Sequence, residues 1–379
     1  WLIDNVVVSD LPTDVLVPAP SAPLITSTNA VISQGGSSFA YQTTTTELAD
    51  SFVCDGILPT GLSFNTTNGL ISGAPNQSGV FPMTIYAVNS AGSGLIDLTL
   101  TITPAPPNIF TGADPSLNTD AAWSLGSAPT TSIKGGSYAD LVFSSSANNL
   151  TTSSGNINGK SMNVTNGSSY TLSSVRTNAG NATTYKVGNT WATDSSPFTN
   201  LVTGITNELV FLANSSSLTL SPASPSNNVP AILELHNSGT MRVEAGSTLH
   251  LACNVSQSVP GLAILKKGGG KLILSGSNSY TGATTVQEGT LLLAGSGTSP
   301  FTIKTGAVLE ISLTNPASIL GAGLTLELGS QVRIIGSPSS GSTYTLATAS
   351  AVTNYATLET PIPGYQLAVS GNSLVLQPA

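Results

Sequence analysis

Residues 268–295 read GGGKLILSGSNSYTGATTVQEGTLLLAG. The stretch contains two short apolar segments, with glycine at nearly every corner between them. Leu272, Leu274, Leu291 and Leu293 occupy alternate positions, so in strands their side chains point to one side. Glycine adopts positive φ at little cost, which lets the chain turn between such strands. The stretch therefore predicts one rung of a stacked β-structure with its corners, and the four leucines are expected to be buried.

The same pattern of short apolar segments separated by Gly and Asn continues on both sides of this stretch. Residues 232–252 read ILELHNSGTMRVEAGSTLHLA, and residues 301–313 read FTIKTGAVLEISL. No single coil of this kind has a stable core, but stacked coils bury the apolar side of each on the next. Apolar triplets separated by Gly and Asn corners cannot present a helical stripe. Residues 109–379 are therefore expected to form a β-solenoid with little or no α-helix.

The composition extends this expectation to the whole chain. Charged residues make up only 7% of the 379 residues, against roughly 25% in an average globular protein. The chain also contains 38 Gly and 23 Pro, with 6% aromatic residues. Frequent turns with Ser- and Thr-rich segments favour many short strands over long helices. We expect an all-β protein.

The N-terminal part of the chain has a different sequence pattern, with longer alternating segments and proline-rich linkers. Residues 24–103 contain alternating segments such as VFPMTIYAVNS and LIDLTLTIT, separated by turn clusters at the spacing of a β-sandwich. Residues 104–108 read PAPPN, which predicts a stiff junction because proline removes backbone donors and favours extended geometry. Residues 1–23 comprise a β-branched strand, WLIDNVVVSD, followed by a proline-rich linker.

The first strand is a candidate for self-assembly. Its apolar residues are Trp1, Leu2, Ile3, Val6, Val7 and Val8. Such a segment is too apolar to remain in water and is satisfied most readily by adding to a sheet edge. The linker, residues 11–23, reaches about 40 Å when extended, which is enough to reach another subunit. The sequence predicts a head-to-tail homopolymer by donor-strand exchange; the alternative is a strand that folds back on its own sandwich.

A known repeat resembles the stretch that opens this section. Residues 265–295, LKKGGGKLILSGSNSYTGATTVQEGTLLLAG, resemble the autotransporter-associated β-strand repeat. That repeat has a Lys-Gly-x-Gly-x-Leu strand, then Ser-Gly-x-Asn-x-Tyr-x-Gly-x-Thr, then a Gly-x-Leu strand. The resemblance implies a right-handed parallel β-helix exported to the surface of a bacterial cell.

The sandwich also resembles a known module. Residues 58–102 are similar to the Ig-like modules of large bacterial surface proteins, with their Leu-Pro-x-Gly-Leu-Ser, Gly-x-Ile-Ser-Gly-x-Pro and Ala-x-Asn-x-x-Gly signatures. The resemblance implies an Ig-like spacer or adhesion unit without catalytic residues. Together the two resemblances imply an extracellular structural protein, acting as a fibre or filament subunit, a stalk or an adhesin. Its partners would be further copies of itself and, for an adhesin, a surface glycan or host ligand.

Several functional classes are disfavoured by charge and hydropathy. A formal net charge of -8 without a Lys/Arg stripe offers nothing to a phosphate backbone, so no nucleic acid partner is expected. No apolar run reaches the roughly 18 residues that span a bilayer, so no membrane span is expected. The chain begins at Trp1 without the pattern of a signal peptide, and we expect a mature or cleaved fragment.

An enzyme is the main alternative class, because right-handed β-helices also include polysaccharide lyases and hydrolases. Those activities need clustered carboxylates or a basic residue on one side of adjacent coils. The candidates are Glu234, Glu244, Glu310, Glu327, Lys266, Lys267 and Lys271. Each stands singly between apolar neighbours, which predicts a solvated outer face and no catalytic residue. The alternative function is a carbohydrate-binding or polysaccharide-cleaving β-helix with a shallow groove along its coils.

No metal or cofactor is expected. His236 and His250 have a spacing that could stack them on successive coils as a weak metal site. No Cys or carboxylate pattern accompanies them, so a surface pair is favoured. The segment KGGGK lacks the Gly-Lys-Ser/Thr ending of a phosphate loop and is interpreted as a tight corner.

The cysteines and the bulky aromatic residues leave alternatives open. Cys54 and Cys253 share parity with apolar neighbours, so both are expected to be small core residues, with a disulfide as the alternative. Core or junction packing is expected for the bulky aromatic residues, with carbohydrate stacking as the alternative. These residues are Trp1, Trp123, Trp191 and Tyr280.

Overall fold

The computed structural model describes residues 21–75, 77–104, 106–111, 117, 123–124, 139–144, 149–152, 156–159, 161–165, 167–174, 183–188, 200, 202–221, 231–319 and 322–379. These residues contain strands and no helix, so the prediction of an all-β fold is confirmed. The chain divides into two compact units, residues 1–103 and 104–379.

The first unit is a sandwich of two sheets. Its strands are β1 (Ala30–Gln34), β2 (Phe39–Gln42), β3 (Ser51–Gly56), β4 (Leu62–Asn65), β5 (Leu70–Gly73), β6 (Gly79–Asn89) and β7 (Gly92–Thr103). One sheet has the order β1-β7-β6-β3 and the other β2-β5-β4. All neighbours are antiparallel except β1 and β7, which are parallel. The core between the sheets includes the fully buried side chains of Ile71, Ile85 and Leu100. The Ig-like sandwich is therefore confirmed.

The signature residues of this unit hold its turns together. Gly73 has φ +139, and a Cβ at that position would lie 2.2 Å from the carbonyl oxygen of Gly61, so a side chain has no room. The side-chain amide of Asn89 donates to the carbonyl oxygens of Ser21 (2.8 Å) and Leu48 (3.3 Å). Asn89 thereby ties the first described residues to the end of the long β6–β7 hairpin.

The second unit consists of short strands. The first group is β8 (Asn108–Phe110), β9 (Asp140–Phe143), β10 (Asn149–Thr152), β11 (Asn156–Gly159), β12 (Ser161–Val164), β13 (Ser169–Ser174), β14 (Thr183–Val187), β15 (Glu208–Leu212), β16 (Ser217–Leu220), β17 (Ala231–Leu235), β18 (Gly239–Val243), β19 (Thr248–Leu251) and β20 (Asn254–Gln257). Next come β21 (Ile264–Lys267), β22 (Lys271–Leu274), β23 (Ser277–Asn278), β24 (Thr284–Val286), β25 (Thr290–Leu293), β26 (Ser296–Gly297), β27 (Phe301–Ile303), β28 (Val308–Ser312) and β29 (Ala317–Ile319). The last are β30 (Gly323–Leu326), β31 (Gln331–Ile335), β32 (Tyr344–Thr348), β33 (Ala351–Asn354), β34 (Thr357–Leu358), β35 (Tyr365–Ser370) and β36 (Ser373–Pro378).

These strands build a solenoid with three faces. Face A is the sheet β8-β9-β12-β15-β18-β21-β24-β27-β30-β33, and face B is the sheet β10-β13-β16-β19-β22-β25-β28-β31-β34. Face C consists of two sheets, β11-β14-β17-β20 and β23-β26-β29-β32-β36-β35. One coil contributes one strand to each face, and neighbouring coils pair in parallel, for example β22 with β25. The stacked parallel β-helix predicted from the sequence is confirmed.

The leucines of the opening stretch line the interior. Leu272 pairs with Leu291, and Leu274 with Leu293, in adjacent strands of face B. All four side chains have 0% exposure, as predicted. They belong to one continuous apolar core that extends from Phe110 to Leu376.

The glycine corners let successive coils approach closely. Gly289 has φ +71, and a Cβ there would lie 2.4 Å from the carbonyl oxygens of both Gly268 and Gly270 in the preceding coil. A residue with a side chain would meet both backbone strain and a steric clash at this corner. The close stacking of the coils therefore depends on glycine at this corner.

Both ends of the solenoid core are covered. At the first coil Trp123 forms an antiparallel bridge with Phe110 and packs edge-on against Phe110 and Phe143, with ring centroids 5.4 and 5.9 Å apart. At the last coil the chain departs from parallel stacking, because β36 runs antiparallel to both β32 and β35. This final hairpin buries Leu374 and Leu376, which cover the apolar end of the last coil.

No helix within the described residues is long and apolar enough to cross a membrane.

Candidate functional site

The predicted self-assembly strand is not among the described residues. Trp1, Leu2, Ile3, Val6, Val7 and Val8 all lie outside them, as does Trp191. Their predicted roles therefore stay predictions.

Glu310 is the most deeply placed of the candidate carboxylates. It lies in β28 with only 3% exposure, although a solvated position was predicted. Its Oε1 is 2.6 Å from Lys271 Nζ, and its Oε2 is 2.9 Å from Arg333 Nη1. Arg333 also pairs with Glu359, which lowers the pKa of the Glu359 carboxyl. The prediction of a single solvated Glu310 is wrong, because ion pairs across several coils neutralise and cover it.

The other three candidate carboxylates are also paired. Glu234 Oε1 lies 2.6 Å from His236 Nε2 and 3.6 Å from Lys186 Nζ, and the hydrogen bond to His236 lowers the pKa of the carboxyl. The partner of each carboxylate lies on the same coil or on an adjacent coil. The remaining two pairs are Glu244 with Arg242 at 2.9 Å and Glu327 with Lys304 at 2.6 Å.

Lys266 is the largest departure from the sequence-based expectation. It was predicted to be outward and solvated, but its side chain has 0% exposure and points into the core beside Met241 and Val286. Its Nζ donates to the carbonyl oxygens of Lys267 (2.9 Å), Gly268 (2.6 Å) and Glu288 (3.1 Å). Burial lowers the pKa of this amine to about 8, although nearby carboxylates oppose the shift. Lys266 thus binds the corners of two successive coils from inside.

A second polar cluster, missed by sequence reasoning, lies on the outward side of face A near the first coils. Ser161 Oγ donates to Asp140 Oδ1 (2.7 Å), and the Asn163 amide donates to Ser161 Oγ (2.7 Å). The Asn200 amide donates to Asn163 Oδ1 (2.9 Å) and lies 3.4 Å from Glu208 Oε2. All five residues have 0 or 1% exposure, so these polar groups satisfy one another away from water.

The Ser161 hydroxyl of this cluster has the buried carboxylate of Asp140 beside it and no histidine. Glu208 is neutralised by Arg242, with Nε 2.6 Å from Oε1, and the Arg242 guanidinium also lies 4.4 Å from the centre of the Phe211 ring. Neither histidine of the chain joins the cluster, since His236 follows a strand of face C and His250 lies in face B. A nucleophilic serine is commonly activated by a histidine that takes up its proton. In this cluster the buried carboxylate, hydroxyl and amide groups bind one another.

The histidines are not stacked on successive coils. His236 bonds to Glu234, whereas His250 Nε2 lies 2.8 Å from Ser275 Oγ on a different face. The expected surface pair is therefore wrong, because the two residues belong to different sheets. Among the described residues, no group of three or more His, Cys, Asp or Glu side chains could hold a metal ion.

A groove of about 570 Å³ runs along the outside of face A. Leu265, Thr285 and Gln287 line it together with Glu288, Lys304 and Glu327. Of these residues, only Glu327 is among the candidates predicted from the sequence. This groove carries several hydrogen-bonding side chains, and it is the candidate site for a ligand.

The remaining candidates are part of the two cores. Trp123 and Tyr280 have 2% and 0% exposure, which places both in packing positions. Cys54 is half-buried and Cys253 is buried, and both are free thiols. Burial raises the pKa of the Cys253 thiol to about 12, so it resists ionisation.

The fold defines a class: an Ig-like sandwich followed in the same chain by a three-faced parallel β-solenoid. Family models match both parts. The passenger-associated-transport-repeat matches residues 264–293, and the family described as "Putative Ig domain" matches residues 12–103. Both resemblances read from the sequence are confirmed, and together they indicate a surface-associated protein of the autotransporter-passenger type.

Matches to whole proteins are few. No curated protein matches the chain. Two matching solved structures, both from Bacteroides fragilis NCTC 9343, are a putative α-galactosidase and a putative α-galactosidase/melibiase. Each is 19% identical over 33% of this chain and only 28% of its own length, with a TM-score of 0.21. A likeness this small says nothing about the activity of this chain.

Proposed function

We propose that this chain is a non-enzymatic structural subunit of a bacterial surface, in which identical copies join head to tail through residues 1–10. The observation that carries the structural role is the single apolar core that extends through the solenoid from Phe110 to Leu376. Face A has ten strands, so with rungs about 4.8 Å apart the stack is a spacer about 43 Å long. A continuous core makes this unit stiff, because bending it would open the interior.

The absence of catalysis is inferred from how the solenoid's charges are used. Glu244, Glu310 and Glu327 each lie within 3 Å of a lysine or arginine group. Glu234 is bonded to His236 at 2.6 Å, with Lys186 Nζ at 3.6 Å, and Lys266 is enclosed by three carbonyl oxygens. A general acid or base must reach a substrate and exchange its proton there. Glu310, Glu327 and Lys266 instead connect different coils.

The joint between copies is proposed to use the sandwich. Both ends of the solenoid core are covered, by Trp123 at one end and by β36 at the other, so stacking of solenoids end to end is disfavoured. In the sandwich β3 is the last strand of its sheet. It carries the exposed side chain of Val53, and the exposed Ile57 follows it. An apolar strand from another copy could add to this edge.

Sedimentation velocity at rising protein concentration tests the proposal. The full chain is expected to form a concentration-dependent series of oligomers, whereas a chain without residues 1–10 stays a folded monomer. A Val7→Asp variant should behave like the deletion, because a charge in the donated strand opposes burial; the matched Asp10→Ser variant should still assemble. Added peptide with the sequence of residues 1–10 should shorten the oligomers.

Two outcomes would contradict head-to-tail joining. Oligomers that persist unchanged after the deletion would place the contact elsewhere. A full chain that is monomeric at every concentration, and whose sandwich loses stability on the deletion, would favour the strand folding back on its own domain.

A further inference from the structure

Four successive coils carry the same short pattern on face A. Residues 284–287 read TTVQ, 301–304 FTIK, 324–327 LTLE and 352–355 VTNY. The second residue of each is a threonine that faces outward. In the strand register Thr285 pairs with Thr302, Thr302 with Thr325 and Thr325 with Thr353. Face A therefore presents a ladder of hydroxyl groups about 4.8 Å apart.

The fourth residues form a second row beside this ladder. Backbone hydrogen bonds hold them in register, from Lys304 N to Val286 O (2.9 Å), Glu327 N to Ile303 O (3.0 Å) and Tyr355 N to Leu326 O (2.9 Å). The row consists of Gln287, Lys304, Glu327 and Tyr355. The groove of about 570 Å³ is lined by Thr285 of the ladder and by Gln287, Lys304 and Glu327 of the second row, and Leu265 adds an apolar patch to it.

The charges of the groove favour a neutral ligand. Lys304 Nζ lies 2.6 Å from Glu327 Oε1, so its charge is already balanced. Glu288 adds a second carboxylate, whose Oε2 accepts a hydrogen bond from Gly268 N (2.9 Å). The groove thus holds two carboxylates and one ammonium group, which repels a polyanion. Carboxylate and amide oxygens accept several hydrogen bonds each and suit hydroxyl donors.

Tyr355 supplies a platform at one end of the second row. Its side chain is 64% exposed. Among the described residues, no other aromatic side chain is as exposed to solvent. An exposed aromatic ring is apolar on its face and polar at its hydroxyl, which matches the face and rim of a sugar ring.

We infer that face A binds a neutral, unbranched polysaccharide laid along the solenoid axis. One sugar ring stacks on Tyr355, and hydroxyl groups further along the chain donate to Gln287 and Glu288. The threonine ladder contacts successive sugars, since its rungs repeat along the same axis. This site is independent of the joint between copies and does not involve residues 1–10.

Affinity gel electrophoresis of the full chain tests the inference. The gels contain one polysaccharide each: hydroxyethyl cellulose, dextran, mannan or β-1,4-galactan as neutral probes, and polygalacturonate as the acidic probe. At least one neutral probe should retard the protein and polygalacturonate should not. The double variant Gln287→Ala/Tyr355→Ala should weaken retardation at least tenfold, while Gln331→Ala, on face B, should leave it unchanged.

Tyrosine nitration followed by peptide mass spectrometry provides a second readout. The polysaccharide that retards the protein should slow nitration of Tyr355 and leave that of Tyr344 unaffected. The inference is overturned if none of the neutral probes retards the protein, if only polygalacturonate does, or if the double variant binds as well as the wild type. Assembly of the chain, measured separately, does not change these outcomes.

Discussion

Replacing Lys266 by methionine tests the most unexpected feature of the interior. Methionine keeps the length of the side chain but removes the ammonium group, so the carbonyl oxygens of Lys267, Gly268 and Glu288 lose a shared donor. At neutral pH the variant is expected to be less stable, because buried acceptors without donors are costly. The pH dependence of the free energy of unfolding tests the burial of the ammonium group more specifically than this loss of stability does.

The magnitude follows from the pKa of the amine. Burial lowers it from 10.5 to about 8 in the folded protein. Between these pH values the unfolded chain binds the proton and the folded chain does not, so the free energy of unfolding rises with pH. A gap of this size corresponds to about 3 kcal/mol of stability that is gained by pH 10.5 and absent below pH 8. The wild type should gain this amount relative to the variant.

Urea unfolding of both proteins from pH 7 to pH 10.5 measures the difference. Subtracting the variant from the wild type removes the contributions of all other titrating groups, and Lys267→Met, an outward neighbour, serves as the control that keeps the wild-type pH dependence. A difference that stays flat with pH would show that Lys266 is solvated. A wild type that loses stability relative to the variant as pH rises would reverse the sign of the shift and refute the reasoning.

Three further predictions concern the cores and corners. Leu291→Asp should destabilise the solenoid by at least about 3 kcal/mol, since it buries an unpaired charge, whereas Leu292→Asp on the outward side should cost less than about 1 kcal/mol in urea unfolding; equal effects would mean that the inward assignment is wrong. Gly289→Ala should cost about 1–3 kcal/mol because φ is +71 and the Cβ meets two carbonyl oxygens at 2.4 Å, and a thermal midpoint equal to the wild type would contradict the tight corner. In the native protein a thiol reagent should label half-buried Cys54 before buried Cys253, which should react only as fast as the solenoid opens; the opposite order is incompatible with the burial of Cys253.

The sequence predicted the architecture because its local signals agree with one another. Alternating leucines and glycine corners specify strands and turns in each coil, and the parity of Leu272 and Leu291 gives the inward side directly. The same rule places Lys266 inward, in alternation with Leu265 and Lys267, but the expectation for a charged residue overrode it. Its charge suggested solvent, but three carbonyl oxygens at a corner satisfy the ammonium group inside.

Contacts between coils were harder to predict. Lys271 and Glu310 are 39 residues apart, and Glu208 and Arg242 are 34 apart, so their pairing depends on coil lengths that composition does not reveal. The placement of His236 and His250 on different faces has the same cause. The threonine ladder could have been found, since the x-Thr-apolar-polar pattern recurs at residues 284–287, 301–304 and 324–327.

Electron microscopy of the purified full chain over a range of concentrations tests the central proposal most directly. Joining through residues 1–10 predicts unbranched filaments in which each axial repeat contains one subunit, with a sandwich and a solenoid resolved in every repeat. Isolated particles at all concentrations, or filaments in which residues 1–10 lie against the sandwich of their own subunit, would contradict it.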